Sequence, residues 1–198
     1  MRLDHIAYRV ANRDETVEHL VKMFGYSIGT EFTINFDDGT SAECIAMVPL
    51  EKNNKISDLL DIPWTYRSTG VNKPIVYHMA PEIFVSEGTP DSIVDRWVKE
   101  RGGIGGVHHM AYSTDDIEGV VDEWKRKDVE FLTENIIDCP DDDLRQIFTK
   151  PQDLLGGVII ELIERGDQGF CQNSVKELME ATEDETFPGE HYVRQFNR

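Results

Sequence analysis

Four residues of the 198-residue chain have types and spacing that can bind a divalent metal ion: His5, Glu82, His109 and Glu161. The two glutamates each interrupt an apolar run, where charged groups are rarely buried unless they are paired or bound to metal. Imidazole and carboxylate ligands favour Fe(II), Mn, Co, Ni or Zn over soft copper(I). The set therefore predicts a divalent-metal site. For Glu82, beside Pro81, a ligand role and an ordinary structural role are equally open.

The two histidines belong to an internal repeat. Leu3–Tyr8 (LDHIAY) returns 104 residues later as Val107–Tyr112 (VHHMAY), so that His5 aligns with His109. The alternation of apolar residues in both copies is typical of a strand. Successive strand residues face opposite ways. We therefore expect His109 to be the ligand and His108 to lie on the opposite face.

Each copy of the repeat precedes an amphipathic helix and three strand-like segments. Asn12, with Glu15 three residues on, is a capping signal for the first helix, and Thr114 precedes the second. The expected strands that follow are 26–36, 41–48 and about 82–85 in the first half, and 129–132, 144–149 and 157–163 in the second. Each half is thus predicted to be a βαβββ module.

A glycine cluster, Gly102–Gly106, separates the two halves. We assign the first module to residues 1–104, with an insertion at about 50–80, and the second to residues 105–170. Residues 171–198 are expected to form a C-terminal helix and an acidic tail.

Two further helices are predicted outside the module pattern. Thr89 is expected to cap one of them, with Pro90 at its first position and its end near Arg101. The final helix is expected at about 174–183.

Composition excludes several classes of partner. Lys and Arg number 20 against 38 Asp and Glu, a formal net charge of −18, so that nucleic acid and anionic membrane surfaces are not expected as partners. No apolar run approaches the ~18 residues of a membrane span, and the amino terminus lacks the apolar core of a signal peptide. Three cysteines in no CxxC pattern argue against a disulfide framework. A soluble cytoplasmic protein is expected.

At these motifs the chain resembles the vicinal oxygen chelate superfamily, which includes glyoxalases, methylmalonyl-CoA epimerases and 4-hydroxyphenylpyruvate dioxygenases. His5 matches the family's Asp-His-Ile strand, His109 its Gly-Val-x-His-x-Ala strand and Glu161 its apolar-Glu-apolar strand. The resemblance implies an α+β fold in which two tandem βαβββ modules form a curved mixed sheet around one divalent metal.

Two branches of the superfamily compete. VHHMAYSTDDIE from Val107 is similar to epimerases and glyoxalases, which use a carboxylate or amide where Glu82 falls. LRQIFTK from Leu144 is instead similar to the catalytic half of 4-hydroxyphenylpyruvate dioxygenase, as is the C-terminal segment. That resemblance implies that Gln146 contacts substrate, in a catalytic role as well. It also implies that Phe170 and the last helix close over the site, with Asn173 as a further substrate-binding candidate.

The number of ligands separates the two mechanisms. His5, His109 and Glu161 alone leave about three positions on an octahedral Fe(II), enough for a bidentate 2-oxo acid and dioxygen. With Glu82 bound as well, about two remain, which suits an epimerase, isomerase or lyase that uses Co, Ni, Mn or Zn. Glu43 is then a candidate base, without a specific reason to prefer it.

The C-terminal gating segment favours the dioxygenase branch. We therefore expect a non-haem Fe(II)-dependent dioxygenase that acts on a 2-oxo acid or similar chelating small molecule. The alternative is a metal-dependent epimerase, isomerase or lyase with an acyl substrate, and a third hypothesis is a non-catalytic small-ligand-binding protein of the same fold. A homodimer is compatible with paired modules of this kind.

Overall fold

The computed structural model describes residues 1–49, 65–68, 75–78, 80–139, 143–165 and 172–183. Ten strands and four helices lie in these ranges. The strands are Arg2–Val10 (β1), Ser27–Asn35 (β2), Ser41–Val48 (β3), Thr65–Ser68 (β4), Ile75–His78 (β5), Glu82–Gly88 (β6), Gly105–Ser113 (β7), Ile137–Cys139 (β8), Leu144–Phe148 (β9) and Ile159–Arg165 (β10). The helices are Arg13–Phe24 (α1), Ile93–Glu100 (α2), Ile117–Lys125 (α3) and Gln172–Ala181 (α4).

Eight strands form one curved mixed sheet in the order β2-β3-β6-β1-β7-β10-β9-β8. The two halves of the sheet have the same topology. In each half the first strand lies at the centre of the sheet and pairs in parallel with the last strand of that half's module or its counterpart: β1 with β6, and β7 with β10. The two halves meet where β1 runs antiparallel to β7. This arrangement confirms the predicted α+β class with paired βαβββ units. Within the insertion at 50–80, the described strands β4 and β5 form a separate two-stranded sheet.

The helices cover opposite faces of the sheet. On the convex face, Val17 of α1 packs with Val85, and Val121 of α3 packs with Leu162. On the concave face, Val94 of α2 packs in one cluster with Phe84 and with Met179 of α4. The concave floor is therefore enclosed by helices α2 and α4.

The residues that cap the helix N-termini agree with the sequence predictions only in part. Asn12 caps α1 as predicted, since its side chain accepts a hydrogen bond from the Glu15 amide. Helix α2 is capped by Ser92 and not by Thr89, so the prediction of a Thr89 cap with Pro90 at the first helical position was wrong. Asp91, at φ 66°, turns the chain between Pro90 and Ser92. In α3 the cap is Asp116.

The first strand after α3 was predicted at 129–132, and the structure instead has β8 at Ile137–Cys139. In the predicted segment Phe131 makes only an isolated bridge to Thr149. Its ring stacks on Trp124 of α3, with ring centroids 6.4 Å apart. The apolar alternation that indicated a strand therefore serves helix packing.

The cysteines also depart from expectation. Cys139 is disulfide-bonded, whereas the sequence argued against disulfides. The spacing of cysteines along a chain does not say which thiols come together in the fold. The expectation of a cytoplasmic protein therefore loses the support of cysteine usage. Cys44 is a buried free thiol, and burial raises its pKa to about 12. No helix in the described ranges has the length and apolar character needed to cross a membrane.

Candidate metal centre

Three of the predicted ligand residues meet on the concave floor. His5 Nε2 lies 3.3 Å from His109 Nε2 and 3.3 Å from Glu161 Oε2, and His109 Nε2 lies 3.4 Å from the same carboxylate oxygen. All three side chains are buried, with exposures of 3%, 6% and 2%. The repeat therefore located three buried side chains whose ligand atoms converge.

Strand register explains the convergence. His5 on β1 pairs with Ala111 on β7, and Ala111 pairs with Glu161 on β10. His109, two residues before Ala111, pairs with Ala7. Because residues at alternate positions share a face of a sheet, all these side chains project onto the concave face. The alanines between the ligands leave the larger side chains room to meet.

The donor set fits a divalent ion. Three Lewis bases 3.3 to 3.4 Å apart are close enough for all of them to reach one ion at about 2.1 Å. Glu161 Oε1 is buried and has no hydrogen-bond partner among the described residues. Two imidazoles and a carboxylate are also the donors that Fe(II), Zn and similar ions prefer. His5, His109 and Glu161 are therefore the residues that could hold a metal.

Asp4 orients the His5 ring. His5 Nδ1 donates to Asp4 Oδ1 at 2.9 Å, which directs Nε2 toward the other two side chains. Arg165 Nη2 donates to the same oxygen at 2.7 Å. Although burial opposes protonation, the carboxylates of Glu161 and Asp4 raise the pKa of His5 to about 9 in the metal-free protein.

His108 differs from the prediction. It was expected on the face opposite His109, but it is buried beside His109, with their Nδ1 atoms 2.9 Å apart. The pairing of β1 with β7 shifts between Ala7 and Tyr8, and His108 is the extra residue of the resulting β-bulge. A bulge interrupts the strict alternation of side chains, which explains the error. Burial, with nearby Arg9 and His109, lowers the pKa of His108 well below its usual value.

Glu82 lies one strand away from the converging group. It pairs in register with His5 across β1 and β6 and is buried. Among the described residues, the group whose ligand atoms lie within 4.8 Å of one another contains His5, His109 and Glu161, and Glu82 is not part of it. The structure therefore brings together three of the four predicted ligand residues.

Gln146 lines the cavity above these three residues. It lies on β9, and its Nε2 is buried without a hydrogen-bond partner in the described part of the chain. Phe84, Phe148 and residues 174, 175 and 178 of α4 complete the walls. The cavity has a volume of about 20 Å³, which is room for one ion or water.

Among the other predicted site residues, the structure describes the side chain of Glu43 alone, and Glu43 does not line the cavity. Glu43 lies on β3 at the same face as Ile45, which packs on the convex side. Its Oε2 accepts a hydrogen bond from Thr33 Oγ1, so the structure separates this candidate base from the cluster. Phe170 lies outside the described residues. Asn173 falls within α4.

Sequence reasoning missed Arg9, which is 2% exposed on the concave face. Its position was available from alternation, because His5, Ala7 and Arg9 occupy every second place on β1. A charged residue among the buried positions of β1 is as unusual as the charged Glu161 within its apolar strand, so the same criterion would have selected Arg9.

Two βαβββ halves that curve around two histidines and a glutamate define a vicinal oxygen chelate protein. Residues 4–148 match the Glyoxalase/Bleomycin resistance protein/Dioxygenase superfamily, and the chain belongs to this superfamily. Among curated proteins, none matches the sequence significantly.

Solved structures share the fold at low sequence identity. A variant of 4-hydroxymandelate synthase from Streptomyces coelicolor aligns with a TM-score of 0.69 and 21% identity, over 93% of this chain and 54% of the other. Methylmalonyl-CoA epimerase from Mycobacterium tuberculosis aligns with a TM-score of 0.52 and 21% identity, over 83% and 88%. A selenomethionine methylmalonyl-CoA epimerase aligns at 0.54 and 22%, over 84% and 97%.

Proposed function

We propose that the chain is a non-haem Fe(II)-dependent dioxygenase that acts on a 2-oxo acid or a similar chelating small molecule. The observation that carries the proposal is the convergence of His5, His109 and Glu161 without Glu82. A face of two histidines and one carboxylate leaves about three coordination positions open, which suits a bidentate substrate and dioxygen.

The side chains around the ion have two roles, which are to bind the ion and to orient the residues that bind it. His5, His109 and Glu161 hold it, and Asp4 and His108 fix the two imidazole rings through their Nδ1 atoms. Bound iron would supply the one-electron chemistry that dioxygen activation requires. Gln146, with its unpartnered Nε2, donates a hydrogen bond to a substrate oxygen.

Helix α4 controls access to the site. Val175 and Leu178 cover a cavity of about 20 Å³, which is too small for any substrate. Substrate entry therefore requires α4 to move away, and its return excludes water from the reacting groups. The gating role that the sequence predicts for the C-terminal helix is part of this proposal.

A metal-dependent epimerase or isomerase is the second candidate, and the position of Glu82 favours it. The pairing of Glu82 with His5 in adjacent strands puts a second carboxylate, the fourth candidate ligand, one strand from the site. If Glu82 bound the ion, about two positions would remain, and the ion would act as a Lewis acid in proton transfer. The position of Glu43 on the convex side weakens this candidate, because it removes the base that the sequence offered.

Anaerobic purification followed by metal analysis and oxygen-uptake assays tests the proposal. The protein is loaded separately with Fe(II), Co(II), Ni(II) and Zn(II) and assayed over a panel of 2-oxo acids. We expect substrate-dependent oxygen uptake with iron alone. Activity with cobalt, nickel or zinc and no oxygen consumption contradicts the dioxygenase and supports proton transfer.

Two isosteric variants report on the ligand count. Glu161→Gln should abolish tight metal binding, whereas Glu82→Gln should leave metal affinity within about twofold of the parent protein. A loss of affinity in Glu82→Gln as large as that in Glu161→Gln would establish four ligands and reverse the ranking. Glu43→Gln is the control, since its carboxylate lies on the other face of the sheet.

A further inference from the structure

Arg9 is a buried cation with no counter-ion among the residues that the structure describes. Its Nη2 donates to Thr182 Oγ1 at 3.1 Å, and its Nη1 is buried with no partner among the described residues. No carboxylate in the described part of the chain forms an ion pair with it. Burial lowers its pKa to about 9, so the guanidinium is still charged at neutral pH. Buried arginines are rare unless they are paired, which indicates that something absent completes this one.

A second unpartnered group belongs to a residue that lines the same cavity as Arg9. His108 Nε2 is buried and has no hydrogen-bond partner in the described ranges. Two buried nitrogen atoms without partners, Arg9 Nη1 and His108 Nε2, are thus carried by residues that line one cavity.

The cavity adjoins the metal centre. Arg9, His108 and Ser86 line a space of about 10 Å³, the size of one water. Its remaining walls include four residues that also line the cavity above the metal ligands: Phe84, His109, Val175 and Leu178. Because the last two belong to α4, one movement of that helix opens both spaces as a single cleft.

The surroundings hold the guanidinium in place. Its carbon lies 5.7 Å from the centroid of the Trp97 ring on α2, and the same ring lies 5.5 Å from the His108 ring. A planar, fixed fork of N–H donors is suited to a carboxylate, which it can bind with two parallel hydrogen bonds.

We propose that Arg9 and His108 form a subsite for a second carboxylate of the substrate, so that the substrate is a 2-oxo dicarboxylic acid. Its 2-oxo acid end occupies the metal and its distal carboxylate occupies the subsite. This inference rests on the proposed function for the first end, while the subsite itself rests on the two buried nitrogen atoms that lack partners among the described residues.

Calorimetry with matched ligands tests the subsite. Zn(II)-loaded protein, which does not turn over oxygen, is titrated with 2-oxoglutarate and 2-oxoadipate and with their monocarboxylate counterparts, 2-oxopentanoate and 2-oxohexanoate. At least one dicarboxylate should bind about 10- to 100-fold more tightly than its counterpart, as expected for a charged hydrogen bond. Equal affinities within both pairs would overturn the subsite.

Variants of Arg9 test whether this residue causes the preference for dicarboxylates. In Arg9→Met the dicarboxylate should lose its advantage while 2-oxopentanoate binding and zinc affinity are retained. Arg9→Lys keeps the charge but not the fork, and should show a preference between those of the parent and Arg9→Met. Arg9→Lys also provides the test if Arg9→Met does not fold. Thr182→Val is the control, because it removes the Nη2 partner, together with the hydroxyl's bonds to the Leu178 and Met179 carbonyls, and leaves Arg9 itself in place; it should keep the preference. Preserved preference in Arg9→Met would contradict the proposal.

A metal-free measurement separates this inference from the proposed function. Glutarate, which has no oxo group, should raise the melting temperature of the metal-free protein more than pentanoate does, and Arg9→Met should abolish the difference. If no metal binds but this difference holds, the proposed function fails and the subsite stands. If metal binds and no Arg9-dependent difference appears in either assay, the subsite fails alone.

Discussion

Asp4 and His108 occupy equivalent positions in the two halves. Each is the extra residue of a β-bulge where β1 pairs with β7, and each contacts the Nδ1 atom of the histidine that follows it. Both halves therefore have a bulge residue that contacts the histidine Nδ1, but this residue is a carboxylate in the first half and an imidazole in the second. A carboxylate beside His5 raises its pKa, whereas burial, together with His5 and Arg9, lowers the pKa of His109 well below its usual value.

Replacing the carboxylate at the first of these positions should weaken metal binding. Asp4→Asn removes the anion that orients His5 and increases its basicity, and such outer partners contribute about 10- to 100-fold to metal affinity. Competition with a chromophoric chelator measures the effect. Asp14→Asn, which changes an exposed carboxylate on α1, is the control and should bind metal like the parent.

Metal affinity should rise with pH between 6.5 and about 9. In the metal-free protein the raised pKa of His5 means that it holds a proton at neutral pH, and a metal must displace this proton. Affinity therefore increases by up to about tenfold per pH unit and levels off above about pH 9. Chelator competition at several pH values, with proton release recorded in weak buffer, follows this change. A plateau that already begins at pH 7 would show that His5 is neutral there.

Truncation of Leu178 should loosen α4. This side chain is 3% exposed and packs on Phe148 and Ile159 over the site. Leu178→Ala is expected to lower the free energy of unfolding by about 2–4 kcal/mol, as for other buried leucines. Leu154→Ala is the matched control, because Leu154 is 94% exposed and should change stability by less than about 0.5 kcal/mol. Urea denaturation of both variants gives the comparison.

Gly105 permits the close approach of β1 to β7. A Cβ at this position would lie 2.0 Å from the Arg9 carbonyl oxygen, at a φ of +89°. Gly39 has a similar φ of +86° with open space around it. Gly39→Ala should therefore cost about 1–2 kcal/mol from backbone strain alone. Gly105→Ala should cost at least about 2 kcal/mol more, because the strands must separate.

Denaturant unfolding of the two glycine variants gives the comparison. Equal losses of stability would mean that β1 and β7 can separate without a measurable loss of free energy of unfolding. A loss of metal affinity in Gly105→Ala, but not in Gly39→Ala, would link the strand contact to the ligand geometry.

The sequence predicted the parts of the site that repetition and alternation control. His5, His109 and Glu161 were proposed because each lies in a strand-like run of apolar residues and both histidines have a place in the repeat. The side of the sheet occupied by His108 was predicted wrongly, since a bulge depends on how two strands pair and not on either strand alone. Arg9 was passed over although alternation along β1 placed it in series with His5, and the folded structure adds that its Nη1 has no partner among the described residues.

Contacts between distant segments were the other limit. The segment at 129–132 alternates like a strand, but its Phe131 packs on Trp124. Glu43 was a reasonable base by residue type, yet the sheet directs it to the convex side. In both cases the local pattern was compatible with two outcomes, and tertiary packing selected between them.

The ligands are divided unequally across the antiparallel contact of β1 with β7: one comes from the first half of the chain and two come from the second. With a metal bound as proposed, the ion is a reversible cross-link between the two halves, and neither half alone contains a complete set of ligands. Its contribution to folding grows with the logarithm of the free metal concentration. The cohesion of the two halves would thus vary with the metal supply of the cell, as a property of the molecule distinct from its catalysis.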